Sequence, residues 1–219
     1  MKRSTKSEQK SAKASSEISQ ARSVAKRPGF DFTHSVEHVC RDMARALPEM
    51  SHINCDRIAF CFSQARTRSS YGIFASLTPL RAAGGSTRIV RRGRPYNIQR
   101  VVSSTGVEIL YILTCYLPRF MDLSFREKLI TLYHEMWHIG PDFDGDMRRH
   151  DGRCYAHTHS QKEYDAQMGL FVDQYLSGNP NERLLQFLEL NFDELHHHHG
   201  PIIGQKIPRP KLIPAKRNT

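Results

Sequence analysis

His134, Glu135 and His138 fall within YHEMWHIGP, the stretch from Tyr133 to Pro141. Two histidines four apart on a helix lie about 40° round the axis and one turn along it, so both imidazoles can converge on one ion. The glutamate directly after the first histidine points to the same general side, where it can hold and deprotonate a water. Zinc suits this donor set, because it lowers the pKa of a coordinated water towards neutrality and polarises a carbonyl. H-E-x-x-H is therefore an arrangement for hydrolysis, with Glu135 as general base and His134 and His138 as metal ligands. The plainer alternative is a surface helix with solvated histidines. It does not explain why Tyr133, Met136 and Trp137 flank these polar residues so closely.

A catalytic zinc needs a third protein ligand and one open position. Nearby candidates are His150, His157, His159, Glu163 and Asp165. His150 comes twelve residues after His138, on a loop able to fold back over the helix end, and is the expected third ligand. His157 and His159 are spaced to suit an extended loop, and Glu163 starts the next helix. At least two of these five are expected to be ordinary solvated residues. Asp142, Asp144 and Asp146 alternate in DFDGD but lack the further oxygen ligands and closing glutamate of a calcium loop, so the segment reads as a turn with Gly145 at positive φ. The run His196–His199 reads as a structural or accidental feature rather than a catalytic one.

The site needs elements to hold it. FDFTHSVEHVCRDMARAL (30–47) has apolar residues at helical spacing, with Thr33 or Ser35 available as a cap. RIAFCFS (57–63) and YGIFASLTPL (71–80) read as strands, TRIVRR (87–92) as a short edge strand, and VEILYILTCYL (107–117) as a buried central strand. Ser124 and Glu127 form a capping-box pattern that starts the helix carrying the histidines, and Gly140 with Pro141 is expected to end it, the glycine in a left-handed conformation. Helices over 160–176 and 181–190 follow, the first with Tyr164, Met168, Phe171, Val172 and Tyr175 on its packing face. The proline-containing tail reads as extended.

Composition narrows the classes further. The chain has 219 residues, 39% of them hydrophobic, and a formal net charge of +10. No apolar run is long enough to span a membrane, and the N-terminal residues lack a secretory apolar segment. The expected location is the cytoplasm of the producing or phage-infected cell. The odd number of cysteines, Cys40, Cys55, Cys61, Cys115 and Cys154, shows no C-x-x-C pair, so they read as reduced thiols and not as a metal site. The basicity sits in the tails: residues 1–29 carry eight Lys/Arg against two acids, and 200–219 carry five against none. Nine arginines and no acid lie between Arg57 and Val107. The Arg-rich 81–100 segment can be a phosphate-binding surface or an edge strand protected by charge, and the tails can hold nucleic acid or merely solubilise.

LYHEMWHIGPDFDGDMRRHDGR resembles the phage metallopeptidase family, over roughly residues 35–175, and more distantly the SprT-like zinc proteases. The DGDMRRH continuation ending in His150 is its more specific part. The resemblance implies a minimal zincin-like α+β fold, in which a small mixed sheet packs on the active-site helix and further helices follow, with a peptidase activity acting on protein or peptide. The expected organisation is a basic disordered tail at 1–29, the metallopeptidase domain at 30–195, and a His-rich then basic tail at 196–219. The competing reading is a non-enzymatic, nucleic-acid-associated protein with a structural metal site.

Overall fold

The computed structural model describes residues 29–69, 71–149, 161–207 and 210–215, with the side chains of 161–163 and 165 excepted. His150, His157, His159, Cys154 and the N-terminal tail to residue 28 lie outside the described residues, as do the side chains of Glu163 and Asp165. In chain order the elements are β1 (Phe30–Asp31), α1 (Phe32–Ala46), β2 (Ile58–Gln64), β3 (Ala75–Pro79), β4 (Arg88–Arg91), β5 (Arg94–Ile98), β6 (Val101–Val102), β7 (Glu108–Ile109), β8 (Tyr111–Leu117), α2 (Phe125–Trp137), α3 (Gln161–Ser177), α4 (Glu182–Glu189), α5 (Phe192–His199), β9 (Ile202–Ile203) and β10 (Leu212–Pro214). The fold is α+β.

The central sheet has the order β2-β8-β3, with β8 parallel to β2 and antiparallel to β3. Strand β8 is central because its two faces are both apolar, which only a position covered on both sides can accommodate. Tyr111, Leu113, Cys115 and Leu117 face the main core with Ile58 and Phe60 of β2 and Ala75 and Leu77 of β3. Ile112 faces the other side, where Ala59, Cys61, Leu80 and Ile109 make a second, smaller cluster. Helices α1, α2, α3 and α4 cover the main-core face, and β6, β7 and the chain near Ile207 cover the other. Cys40, Cys55, Cys61 and Cys115 are buried free thiols.

Local chemistry sets the helix bounds. The cap of α1 is Asp31, not the expected Thr33 or Ser35. Its carboxylate accepts from the His34 N–H at 3.0 Å, while Thr33 is turned inward and its hydroxyl donates to the same carboxylate. Helix α2 begins with the expected capping box: the Ser124 hydroxyl accepts from the Glu127 N–H, and the Glu127 carboxylate accepts from the Ser124 N–H at 2.9 Å. Its apolar stripe, Leu129, Leu132, Tyr133 and Met136, is fully buried. Lys128 is buried as well, and its ammonium donates to the Leu188 and Leu190 carbonyls at the C-terminal end of α4, both at 2.8 Å. This is where a cation is favoured by the helix dipole. Ser124→Ala removes the box and is expected to lower stability by about 1 kcal/mol in urea unfolding.

The C-terminal end of α2 differs from the expectation. Gly140 is absent from the positive-φ residues, and the helix closes with His138 in a right-handed conformation. The chain instead folds back through a bridge between Ile139 and Met147. Gly145 does take positive φ, in the turn expected of DFDGD. Within the described residues the expected C-terminal tail supplies two strands: β9 runs parallel to β1, and β10 adds to β5 in a sheet of order β10-β5-β4. An extended, proline-containing segment can pair along one edge even though it lacks some N–H donors. No helix among the described residues is long and apolar enough to cross a membrane.

Candidate functional site

Helix α2 places His134 and His138 one turn apart on the side away from its buried stripe. Their rings stand 4.7 Å apart between centroids and almost perpendicular, at 87°. His134 is half-buried and His138 buried. The Tyr164 ring of α3 lies 4.7 Å from the His134 ring and stacks 6.0 Å from that of His138. Two imidazoles on one face, walled by an aromatic ring, have restricted rotation, which lowers the entropy lost on binding an ion.

His138 is held from below by the returning chain. The Arg148 N–H donates to the His138 carbonyl at 2.7 Å, and Arg148 Nε donates to the Trp137 carbonyl at 2.8 Å. The guanidinium then lies 3.9 Å over the Trp137 ring. One arginine thus satisfies two of the orphan carbonyls that end α2 and places a cation at its negative pole. Trp137 in turn packs on Phe171 of α3, which fixes the end of the helix against its neighbour. The turn before Arg148 is held by Asp146, whose carboxylate pairs with Arg149 and accepts from the Gly84 N–H.

Glu135 is turned towards the sheet. It is buried, and the backbone N–H of Leu77 in β3 reaches its carboxyl. Among the described residues strand β3 pairs only with β8, so this N–H comes from the edge turned away from β8. Burial pushes the Glu135 carboxyl up to about 7, against which the Leu77 N–H works weakly. A cavity of about 380 Å³ opens beside it, lined by Ile73, Phe74, Leu123, Ile130, His134 and Glu135. A larger cavity, about 770 Å³, lies between α1 and β6 and contains neither histidine.

Of the sequence-predicted site residues, the structure brings His134, Glu135 and His138 together on α2. His150, His157 and His159 lie outside the described residues, and nothing is described of the Glu163 and Asp165 side chains. Among the described residues no group of three or more His, Cys, Asp or Glu side chains is placed to hold a metal ion. The two imidazoles nonetheless suit a borderline-soft divalent ion with nitrogen donors, provided a third ligand is supplied, the adjacent carboxyl being left for a water. The His196–His199 run occupies the last turn of α5, where successive side chains diverge by about 100° and cannot all face one ion. His199 packs on Phe30 instead.

The sequence puts Tyr164 on the packing face of its helix and gives Arg148 no signal of its own, and neither is expected in the site. The inward stripe of α3 was the available signal for Tyr164, because the face that covers α2 must also meet its histidines. The family model described as "Putative phage metallopeptidase" matches residues 32–170. No curated protein and no solved structure matches the chain. The match spans α1, the central sheet, α2 and the first part of α3, more than half of the chain, and so the protein belongs to this family, whose description implies a peptidase that works with a metal ion.

Proposed function

We propose that the protein is a zinc-dependent peptidase of the H-E-x-x-H type, in which His134 and His138 hold the metal, His150 completes the ligand set and Glu135 is the general base. The observation that carries this reading is the pair of imidazoles side by side on one capped helix, with a buried carboxyl beside them at the edge of a sheet. When bound, zinc supplies a water of lowered pKa and polarises the scissile carbonyl. Glu135 takes the proton of the attacking water and delivers it to the departing amine, a role its position beside His134 allows.

The edge of β3 turned away from β8 supports a peptide substrate. An extended chain laid beside this strand would gain main-chain hydrogen bonds at Ala75, since the Leu77 N–H is held by Glu135 and Pro79 has no N–H, with alternate side chains directed to either side. The cavity at Ile73, Phe74 and Ile130 would take one apolar side chain next to the scissile bond. Sequence position supports His150 as third ligand: it follows by two residues Arg148, whose N–H is bonded to the His138 carbonyl.

Zinc-loaded protein is expected to cleave unstructured protein substrates such as casein, to stop when a chelator is added and to resume when zinc is restored. Cleavage that persists through exhaustive chelation would rule out this reading.

A further inference from the structure

The four arginines at 88, 91, 92 and 94 are concentrated on one hairpin, whereas Arg45, Arg66 and Arg183, also exposed and in none of the described ion pairs, stand singly along the chain. Among the described residues, Arg41, Arg57, Arg68, Arg81, Arg100, Arg126 and Arg149 all pair with carboxylates. Glu108 alone takes three of these, Arg57, Arg81 and Arg100. None of the described ion pairs involves an arginine of the β4–β5 hairpin, all four of which are exposed. The register makes Arg91 face Arg94 directly across the hairpin. Like charges so placed destabilise a ribbon that has no anion to bridge them.

The turn adds to the concentration. Arg92 and Gly93 both take positive φ, 51° and 71°, so this is a two-residue hairpin turn of the I′ type. Its first central position favours Asn, Asp or Gly, yet an arginine stands there. Facing pairs share a side of the ribbon, which puts Arg91, Arg94, Ile89 and Tyr96 on one face. There Arg91, Arg92 and Arg94 line a hollow of about 600 Å³ with Tyr96 and with Leu212 of β10. A guanidinium offers a planar fork to phosphate oxygens, and a tyrosine ring offers a stacking surface for a base.

We infer that the β4–β5 hairpin is a nucleic-acid-binding surface, in which Arg91, Arg92 and Arg94 hold phosphodiester groups and Tyr96 packs against a sugar or base. An anionic membrane is less well matched, because Tyr96 and Leu212 sit inside the hollow and not at the hairpin tip. The further basic residues near both ends of the sequence add to the long-range attraction. The surface is independent of the histidine site, and peptide hydrolysis is not required for it.

The test is fluorescence anisotropy of the full chain with labelled single- and double-stranded DNA of about 20 nucleotides, between about 50 and 200 mM salt. The triple variant Arg91→Gln, Arg92→Gln, Arg94→Gln is expected to weaken binding at least about 10-fold. It is also expected to reduce the slope of log affinity against log salt by about 2 to 3. The triple Arg45→Gln, Arg66→Gln, Arg183→Gln removes the same charge from exposed positions elsewhere and is expected to change binding by no more than about 2-fold. Arg92→Asn suits the turn better, so it is expected to raise Tm yet reduce the slope by about 1. That variant reads out the surface even if the triple does not fold. The single- and double-stranded arms show which form is held. Equal losses from both triples, an unchanged slope in the hairpin triple, no DNA retention at low salt, or retention only on phosphatidylserine vesicles would each overturn the proposal.

Discussion

Glu135→Gln is expected to lower kcat for peptide hydrolysis by about 10²- to 10⁴-fold while KM and metal content stay close to those of the parent. The amide keeps the shape of the side chain and can still accept from the Leu77 N–H, but it cannot take a proton. The same substitution has a second signature in the metal-free protein. The folded carboxyl titrates near 7 and the unfolded one near 4.5 because burial disfavours the charge. Between those values the folded state holds a proton that the unfolded state has released. Stability therefore falls as pH rises through this window, and the full penalty is present above pH 7. The displacement corresponds to about 3 kcal/mol. Glu135→Gln should thus unfold at higher urea than the parent at pH 8, with the difference vanishing towards pH 4. A variant less stable than the parent at pH 8 would show that the carboxylate is not buried at a cost.

His134→Ala is expected to weaken zinc binding by about 10³-fold, and His138→Ala by a similar factor. Structural zinc sites gain roughly 10–16 kcal/mol from their ligand sets, and one imidazole of three carries a substantial share. Hydrolysis is lost with the metal in both cases, unlike in Glu135→Gln. Alanine at 150, 157, 159, 163 and 165 in turn identifies the remaining ligand, since one of these should match the loss at His134 and the others should bind zinc as the parent does. Competition titration with a chromogenic chelator reads all seven. Parent-like affinity in His134→Ala would remove the basis for the catalytic assignment.

The parts of this architecture that could be read in the sequence are those determined locally. Ser124 and Glu127 announce the start of α2 because both partners of the capping box lie within one turn. The apolar run at 107–117 announces a central strand because its neighbours on both faces must be buried. The terminus of α2 was harder: Gly140 and Pro141 look like a left-handed stop, but Arg148 supplies the capping from eight residues beyond Gly140. The cap of α1 differs by two residues or more because Asp31, Thr33 and Ser35 are all competent, and the inward turn of Thr33 and the bond from the Ser35 hydroxyl to the Asp31 carbonyl decide among them.

Long-range partners left no such trace. Nothing near Leu77 signals that its N–H will meet Glu135, since that contact depends on how α2 packs on the edge of β3 turned away from β8. Strands β9 and β10 are too short for alternation to register, and their partners, β1 and β5, lie far away in sequence. The charge pattern gave the arginine cluster but not its geometry. The pairing of Arg57, Arg81 and Arg100 with one glutamate is what separates the structural arginines from those of the hairpin.

The most direct test of the central claim is an anomalous difference map at the zinc absorption edge, from crystals of the protein purified without chelator. One strong peak per chain is expected within about 2.1 Å of a ring nitrogen of both His134 and His138, with a third protein ligand at similar distance. A map with no peak between these two imidazoles, or with its strongest peak at His196–His199, would contradict it.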